Sequence, residues 1–166
     1  MSNKELLDKY IQNNKTDIEK ALLLAFEEIS NDLLESKIDT NCSGTTANIV
    51  LMDGNRLYNA NLGDSRAMFG SMKEKELIAR DISTDQKPDD EKEKLRIEAS
   101  GGRVGPILDS KGNAYGPCRV WMKTQDIPGL AMSRSLGDKY GRKAGVISIP
   151  GKGNLKRNKS FRYEVK

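Results

Sequence analysis

The sequence predicts an α+β domain, because an amphipathic helix precedes a series of short strands and a second helix separates them from a further group. One observation is an apolar stripe at helical spacing in residues 16–34. Another is a set of short apolar stretches separated by turn sequences such as Asp53-Gly54-Asn55. A third is a charged segment, residues 89–100, that ends at a glycine pair. The 166 residues are enough for one domain with a sizeable core.

The first helix is predicted to begin at a capping box, with Thr16 as the N-cap and Glu19 three residues later. Apolar residues then recur at the spacing of one helix face, and they are Ile18, Ala21, Leu22, Ala25, Phe26, Ile29 and Leu33. A stripe of this kind is typical of a helix that covers a core.

The elements after this helix are predicted from apolar stretches and turn residues. Strands are expected at residues 47–52, 57–62, 66–69, 76–80, 104–108, 119–123 and 146–149. Helices are expected at residues 89–100 and 132–136, and the first of these ends at Gly101-Gly102, which suits a left-handed cap.

The composition excludes several kinds of chemistry. The chain contains no His, so a Ser-His-Asp triad, a Cys-His dyad and an imidazole-ligated zinc or haem are excluded. Cys42 and Cys118 are the two cysteines, and because no CxxC occurs, a zinc ribbon is excluded as well. Two reduced thiols are favoured, and a disulfide stays open.

Targeting signals are not expected in this sequence. The N-terminal residues lack the apolar stretch of a signal peptide, and the longest apolar run, Ala21 to Phe26, is far too short to span a membrane. We therefore expect a soluble cytoplasmic or nuclear protein with no membrane partner.

The basic character of the chain is concentrated at its C-terminal end. Residues 151–166 contain six basic residues and one acidic residue, a net charge of +5, which leaves −1 of the total +4 for residues 1–150. Phe161 and Tyr163 are too few aromatic residues for a nucleic-acid stacking platform, so nucleic acid is an unlikely partner. The sequence predicts one domain at 1–150 and a basic, disordered tail at 151–166.

Five short strings lie where predicted elements meet. They are residues 43–47 (SGTTA), 61–66 (NLGDSR), 84–88 (TDQKP), 101–104 (GGRV) and 128–138 (PGLAMSRSLGD). Taken singly, Asp64 is best explained by an Asx turn, and Arg134 by a helix entry with a carboxylate partner. Asp85 lies in a loop with no obvious turn to stabilise, so it is either a ligand for a hard cation or a solvated carboxylate.

Together, the five strings resemble the metal-dependent serine/threonine protein phosphatases of type 2C, over residues 16–150. The resemblance implies a four-layer sandwich, in which helices flank two antiparallel β-sheets. It also implies Mn²⁺ or Mg²⁺ as the cofactor and a metal-activated water that attacks phosphorus. The implied substrates are phosphoproteins that carry phosphoserine or phosphothreonine.

The main metal-binding motifs of that family have no counterpart here. An Asp-Gly-His-Gly-Gly motif is expected before the first helix, and Asp-Gly and Asp-Asn motifs are expected after Pro150, but none is present. The sequence therefore assigns no catalytic residue. Asp85 matches the family ligand of a third, weaker ion, while Gln86 stands where the family has His.

The resemblance therefore predicts a fragment, from a shortened chain or an incomplete gene model, that is inactive by itself. We expect a partial sandwich without its N- and C-terminal strands, with exposed apolar surface. Residues 101–121 correspond to the family's flap, where Arg103, Arg119 and Trp121 are the candidates for substrate contact, although Trp121 fits a core position equally well. The alternative is a non-catalytic, pseudophosphatase-like module that binds phosphoproteins or another partner.

Overall fold

The computed structural model describes residues 5, 8, 9, 12 and 17–156, and within residues 17–156 it confirms the α+β class. The helices there are α1 (Ile18–Glu35), α2 (Glu91–Ala99) and α3 (Lys139–Lys143). The strands are β1 (Gly44–Thr45), β2 (Ala47–Asp53), β3 (Arg56–Leu62), β4 (Met68–Lys73), β5 (Glu76–Asp81), β6 (Gly102–Leu108), β7 (Ala114–Met122), β8 (Pro128–Leu130), β9 (Leu136–Gly137) and β10 (Gly151–Lys156).

The strands are arranged in small antiparallel sheets. Their orders are β10-β3-β2, β6-β7-β8, β4-β5 and β1-β9. Hairpins join β2 to β3, β4 to β5 and β6 to β7, so most pairing is between strands that follow one another in the chain. The predicted Asp53-Gly54-Asn55 turn lies between β2 and β3, where Gly54 has the positive φ of 56° that such a turn requires.

Helix α1 covers one face of the β10-β3-β2 sheet. Its buried residues Ile18, Leu22 and Phe26 form a core with Ala60 and Leu62 of β3. The cap differs from the prediction by one residue, since Asp17 is the N-cap and its Oδ1 accepts a hydrogen bond from Lys20 N at 2.9 Å. Thr16, the predicted cap, lies outside the described residues.

A second core lies between α2 and the β6-β7-β8 sheet. Ile97 of α2 and Val120 of β7 are completely buried there, together with Ala144 and Val146. This core fixes the direction of α2 and therefore the position of its first turn, which carries Glu93.

Two elements near the C-terminal end differ from the predictions. Residues 132–136 form no helix, because Ser135 N donates to Ile147 O at 3.1 Å, and α3 begins at Lys139. Residues 146–149 form no regular strand, and their sheet-like pairing is the single parallel bridge between Arg134 and Ile147. The strand predicted at residues 146–149 is therefore wrong. The segment is apolar, but within the described part of the chain its only sheet-like pairing is this one bridge.

The first residues of the predicted tail are also part of the fold. Strand β10 pairs with β3 from Gly151 opposite Asn61 to Lys156 opposite Arg56. Lys152 also approaches Glu19 of α1, with 3.4 Å between Nζ and Oε2. The prediction of a disordered tail from residue 151 is therefore wrong for residues 151–156, and residues 157–166 lie outside the described residues.

Apolar surface is exposed, as predicted, on the β4–β5 hairpin and on β2. Met72 and Leu77 are cross-strand partners with exposed fractions of 54% and 73%, and Met68 lies on the same face. Val50 and Met52 on β2 are also about half exposed. In the described chain, no helix is long and apolar enough to cross a bilayer.

Candidate functional site

A polar cleft of about 550 Å³ lies beside the β3 strand. Asn59 and Asn61 of β3 form one wall, and the loop from Asp81 to Gln86 forms another. The cleft is closed by residues from α2, β10 and the loop before β9, which are Asp90, Lys92, Glu93, Arg134, Gly151 and Lys152. Three of the five sequence strings, at 61–66, 84–88 and 128–138, therefore meet at one place.

Asp85 lies on this cleft and is held by Arg66. Arg66 Nε donates to Asp85 Oδ1 at 3.0 Å, and Nη2 donates to Oδ2 at 3.1 Å, so both carboxylate oxygens are engaged by one guanidinium. Arg66 Nη1 also donates to Asp81 Oδ2 at 3.3 Å. The hydrogen bonds from Arg66 lower the pKa of Asp85, against the smaller opposing effect of burial. Asp85 is therefore an ionised partner of Arg66.

Gln86 is a buried connector between loops. Its Oε1 accepts from Gly63 N at 2.6 Å, and its Nε2 donates to Asn61 O at 3.0 Å. Its backbone carbonyl accepts from Ser133 N at 3.0 Å. The amide side chain thus joins β3 to the loop that carries Asp85.

Asp64 makes an ion pair instead of the predicted Asx turn. Its Oδ2 accepts from Lys87 Nζ at 2.6 Å. The two strings at 61–66 and 84–88 are therefore joined twice, by Asp64–Lys87 and by Arg66–Asp85. Each string contributes one cation and one carboxylate: Asp64 and Arg66 come from the first, and Asp85 and Lys87 come from the second.

Glu93 is the most deeply buried acid of the site. Its Oε2 accepts from Ser133 Oγ at 2.6 Å and from Arg134 Nε at 2.9 Å, and its Oε1 accepts from Arg134 Nη2. Arg96 Nη1 lies 2.8 Å from Oε2. Burial by itself raises the pKa of Glu93, but these three donors outweigh it and bring the pKa to about 2. The expected carboxylate partner of Arg134 is thus confirmed, and it is Glu93.

A chain of asparagine side chains supports the β3 wall. Asn48 Nδ2 donates to Asn61 Oδ1 at 2.8 Å, and Asn59 Nδ2 donates to Asn48 Oδ1 at 2.7 Å. Asn61 Nδ2 then donates to Thr84 O at 2.9 Å. The loop before Asp85 is therefore tied to the sheet by its backbone, independently of the Arg66 ion pair.

The comparisons with known proteins agree with this arrangement of motifs. The family model described as protein phosphatase 2C matches residues 2–160. The chain belongs to this family. It is 36% identical over 148 residues to the probable protein phosphatase 2C 35 of Arabidopsis thaliana, a match that covers 81% of this chain and 42% of the relative.

Other phosphatase 2C relatives give the same result. The probable protein phosphatase 2C 64 of Oryza sativa subsp. japonica is 40% identical over 134 residues, which are 79% of this chain and 30% of the relative. The crystal structure of serine-threonine phosphatase 2C from Toxoplasma gondii has a TM-score of 0.75 at 20% identity, covering 92% of this chain and 50% of that one, and it supports the fold. The chain spans less than half the length of these two curated relatives.

The described residues do not fit the divalent metal centre that the phosphatase 2C family implies. Among residues 5, 8, 9, 12 and 17–156, no group of three His, Cys, Asp or Glu side chains could hold an ion. At Asp85, the one predicted ligand, both oxygens accept hydrogen bonds from a guanidinium. A two-ion phosphatase 2C centre needs several bridging carboxylate oxygens, and the described chain does not bring them together.

The predicted flap residues lie together on the β6-β7-β8 sheet. Trp121 Nε1 donates to Gly105 O at 2.9 Å, and Arg103 lies over the indole ring, 5.3 Å from its centroid. Arg103 also pairs with Asp126, and Arg119 Nη1 donates to Gly129 O at 2.7 Å. Trp121 is half-buried, so it is neither a fully exposed contact residue nor a fully buried core residue, the two alternatives that the sequence left open. These side chains do not line the cleft that contains Asp85.

Two site residues were missed by sequence reasoning. Arg66 stands in a recognised string, but its partner lies 19 residues away on another loop. Glu93 is one of several charged residues in the segment 89–100, so its charge alone does not distinguish it from its neighbours. Glu93 lies four residues before the buried Ile97, and residues at this spacing share one face of a helix. This spacing is the signal that could have placed Glu93 on the inner face of α2.

Proposed function

We propose that this chain forms the central part of a type 2C protein serine/threonine phosphatase domain and does not hydrolyse phosphoesters by itself. The substrates of the complete domain are phosphoserine and phosphothreonine residues of proteins, in the cytoplasm or nucleus. Its cofactor is Mn²⁺ or Mg²⁺, which activates a water for attack on phosphorus.

The observation that carries the proposal is the composition of the cleft. Its acids are Asp81, Asp85, Asp90 and Glu93, and three of them are bound by arginines. Arg66 binds Asp85 and Asp81, and Arg134 and Arg96 bind Glu93. Because the family reaction needs carboxylates that converge on two ions, the remaining ligands have to come from segments beyond those described here.

A phosphatase assay tests the proposal. The 166-residue chain and a longer version that contains the three absent metal motifs would be incubated with a phosphothreonine peptide and Mn²⁺. We expect phosphate release from the longer version alone, and a loss of that release when Mn²⁺ is chelated. Phosphate release by the 166-residue chain above the rate without protein would overturn the proposal.

The second candidate is a non-catalytic module that binds phosphoproteins. It is favoured by the β6-β7-β8 sheet, on which Arg103 is 41% exposed over the ring of Trp121. The chain has one Trp, so its fluorescence reports on this surface directly. A saturable change in emission with a phosphothreonine peptide, absent with the unphosphorylated peptide and lost in Arg103→Ala, would support this candidate. Identical emission with both peptides would exclude it.

A further inference from the structure

We propose that the Arg66 guanidinium is the resident cation of the Asp85 position and that it closes this position to divalent metal ions. The inference concerns the described residues alone and does not depend on the proposed function. It rests on the two-point pairing of Arg66 with Asp85, at the position where the resemblance implies a ligand of a metal ion.

The geometry of the pair leaves little room for a metal ion. The two parallel bonds from Nε and Nη2, at 3.0 and 3.1 Å, engage one carboxylate oxygen each. A divalent ion bound by both oxygens needs the same side of the carboxylate at shorter distances, so an ion held in that way has to displace the guanidinium. The Arg66 guanidinium stays charged at any pH at which the protein is folded. An ion that takes its place must therefore separate a permanent positive charge from the Asp85 carboxylate.

The surrounding charges strengthen this arrangement. Arg66 also reaches Asp81, and Lys87 adds a second positive charge near Asp85 while pairing with Asp64. The group therefore contains three carboxylates and two fixed cations. A divalent ion that entered would face both cations, while the guanidinium already balances Asp85 and Asp81 together.

The arrangement is held by the fold on the aspartate side. The Asp85 loop is fixed by Gln86, which is buried and bonded to Gly63 N, and by the bond from Asn61 to Thr84 O. On the other side, Ala67 N donates to Ser83 Oγ at 2.7 Å, which keeps the backbone next to Arg66 beside the same loop. The pair can therefore form without any ion present.

The test is a Mn²⁺ titration followed by calorimetry on four proteins. They are the parent chain, Arg66→Met, the double variant Arg66→Met/Asp85→Asn, and Lys92→Met as a control. Lys92 lines the same cleft, and its replacement removes one positive charge without touching Asp85. Circular dichroism checks that each variant is folded.

The proposal predicts that Arg66→Met binds Mn²⁺ roughly tenfold or more tightly than the parent chain, because a unit positive charge next to the ion is removed. The gain should be absent in Lys92→Met and lost in the double variant. An Arg66→Met protein that binds Mn²⁺ no better than Lys92→Met would overturn the proposal.

A second measurement needs no variant. Mn²⁺ broadens amide NMR signals near its binding site, so the signals of residues 84–86 in the parent chain report whether the ion reaches Asp85. We expect them to keep the same relative intensity as amides far from the cleft. Selective broadening at residues 84–86 would overturn the proposal, whatever the phosphatase assay shows. Phosphate release without such broadening would overturn the proposed function alone.

Discussion

Arg134 joins the loop before β9 to helix α2 through Glu93, which lies 41 residues earlier in the chain. Its Nε donates to Glu93 Oε2 at 2.9 Å, and its Nη2 donates to Oε1, so the guanidinium and the carboxylate meet side by side. Glu93 is 5% exposed. The group depends on Glu93 most of all, because Arg134 and Arg96 share this one buried carboxylate and would both lose it together.

Substitution of Glu93 should therefore destabilise the fold strongly. Glu93→Ala leaves Arg134 and Arg96 without their carboxylate, and removal of one partner of a buried ion pair costs about 3–5 kcal/mol. Urea denaturation followed by circular dichroism measures the loss. Glu91→Ala is the matched control, since Glu91 lies in the same first turn and is exposed. Equal midpoints for the two variants would show that the ion pair contributes nothing.

Stability should also fall in acid because of Glu93. Its pKa is about 2 in the folded protein and 4.5 ordinarily, so the unfolded chain binds this proton more tightly than the folded chain does. The contribution of about 3 kcal/mol is complete above pH ~5 and is lost as the pH falls towards ~2. Urea midpoints at several pH values should fall more steeply in the parent chain than in Glu93→Gln. Parallel curves would contradict the assignment.

Gly44 should tolerate no side chain. It lies on β1 opposite Gly137, and a Cβ at this position would be 2.0 Å from Asp138 Oδ2 and 2.5 Å from Leu136 O. Because the second atom belongs to the backbone, relief requires β1 and β9 to separate, and we expect Gly44→Ala to cost about 3 kcal/mol or more.

The control is Gly105→Ala, where a Cβ would have no neighbour within 4 Å. Thermal unfolding should place this variant close to the parent chain and Gly44→Ala well below it. Similar melting temperatures for both variants would mean that β1 and β9 are not packed as described.

The β4–β5 hairpin should promote self-association through its apolar face. Leu77→Thr replaces a side chain that is 73% exposed, so the free energy of unfolding should change by less than about 0.5 kcal/mol. At each protein concentration, the variant should nevertheless scatter less light than the parent chain. The reason is that it exposes less apolar surface through which molecules can associate. Scattering identical to that of the parent chain would exclude this face as the cause of association.

Much of the N-terminal half could be predicted from local sequence. The apolar residues of α1 recur at helical spacing, so only a helix places them on one buried face. The β2–β3 hairpin has a turn that requires the positive φ of Gly54. These signals are strong because each is contained within about twenty residues. The capping position was shifted by one residue because Thr16 and Asp17 both have side chains that can accept a bond from the helix N-terminus.

The cleft could be predicted less well, since its contacts join distant segments. The apolar residues at 146–149 suggested a strand, but strand formation depends on a partner, and the structure provides one bridge, to Arg134. Strand β10 was not predicted, because its basic residues are typical of a disordered tail. Its pairing with β3 depends on backbone groups, which any residue type supplies. Asp85 lies in a loop, as the sequence predicts, but a single sequence does not show that Arg66 returns to it.

Within the described residues, the cleft of this phosphatase 2C chain brings together no group of three acidic side chains that could hold a metal ion, and we propose that the chain is inactive by itself. The most direct measurement is the initial rate of phosphate release from a phosphothreonine peptide in Mn²⁺, for the 166-residue chain and for Asp85→Asn. We expect both rates to equal the rate without protein. A rate above that background in the parent chain, reduced in Asp85→Asn, would contradict it.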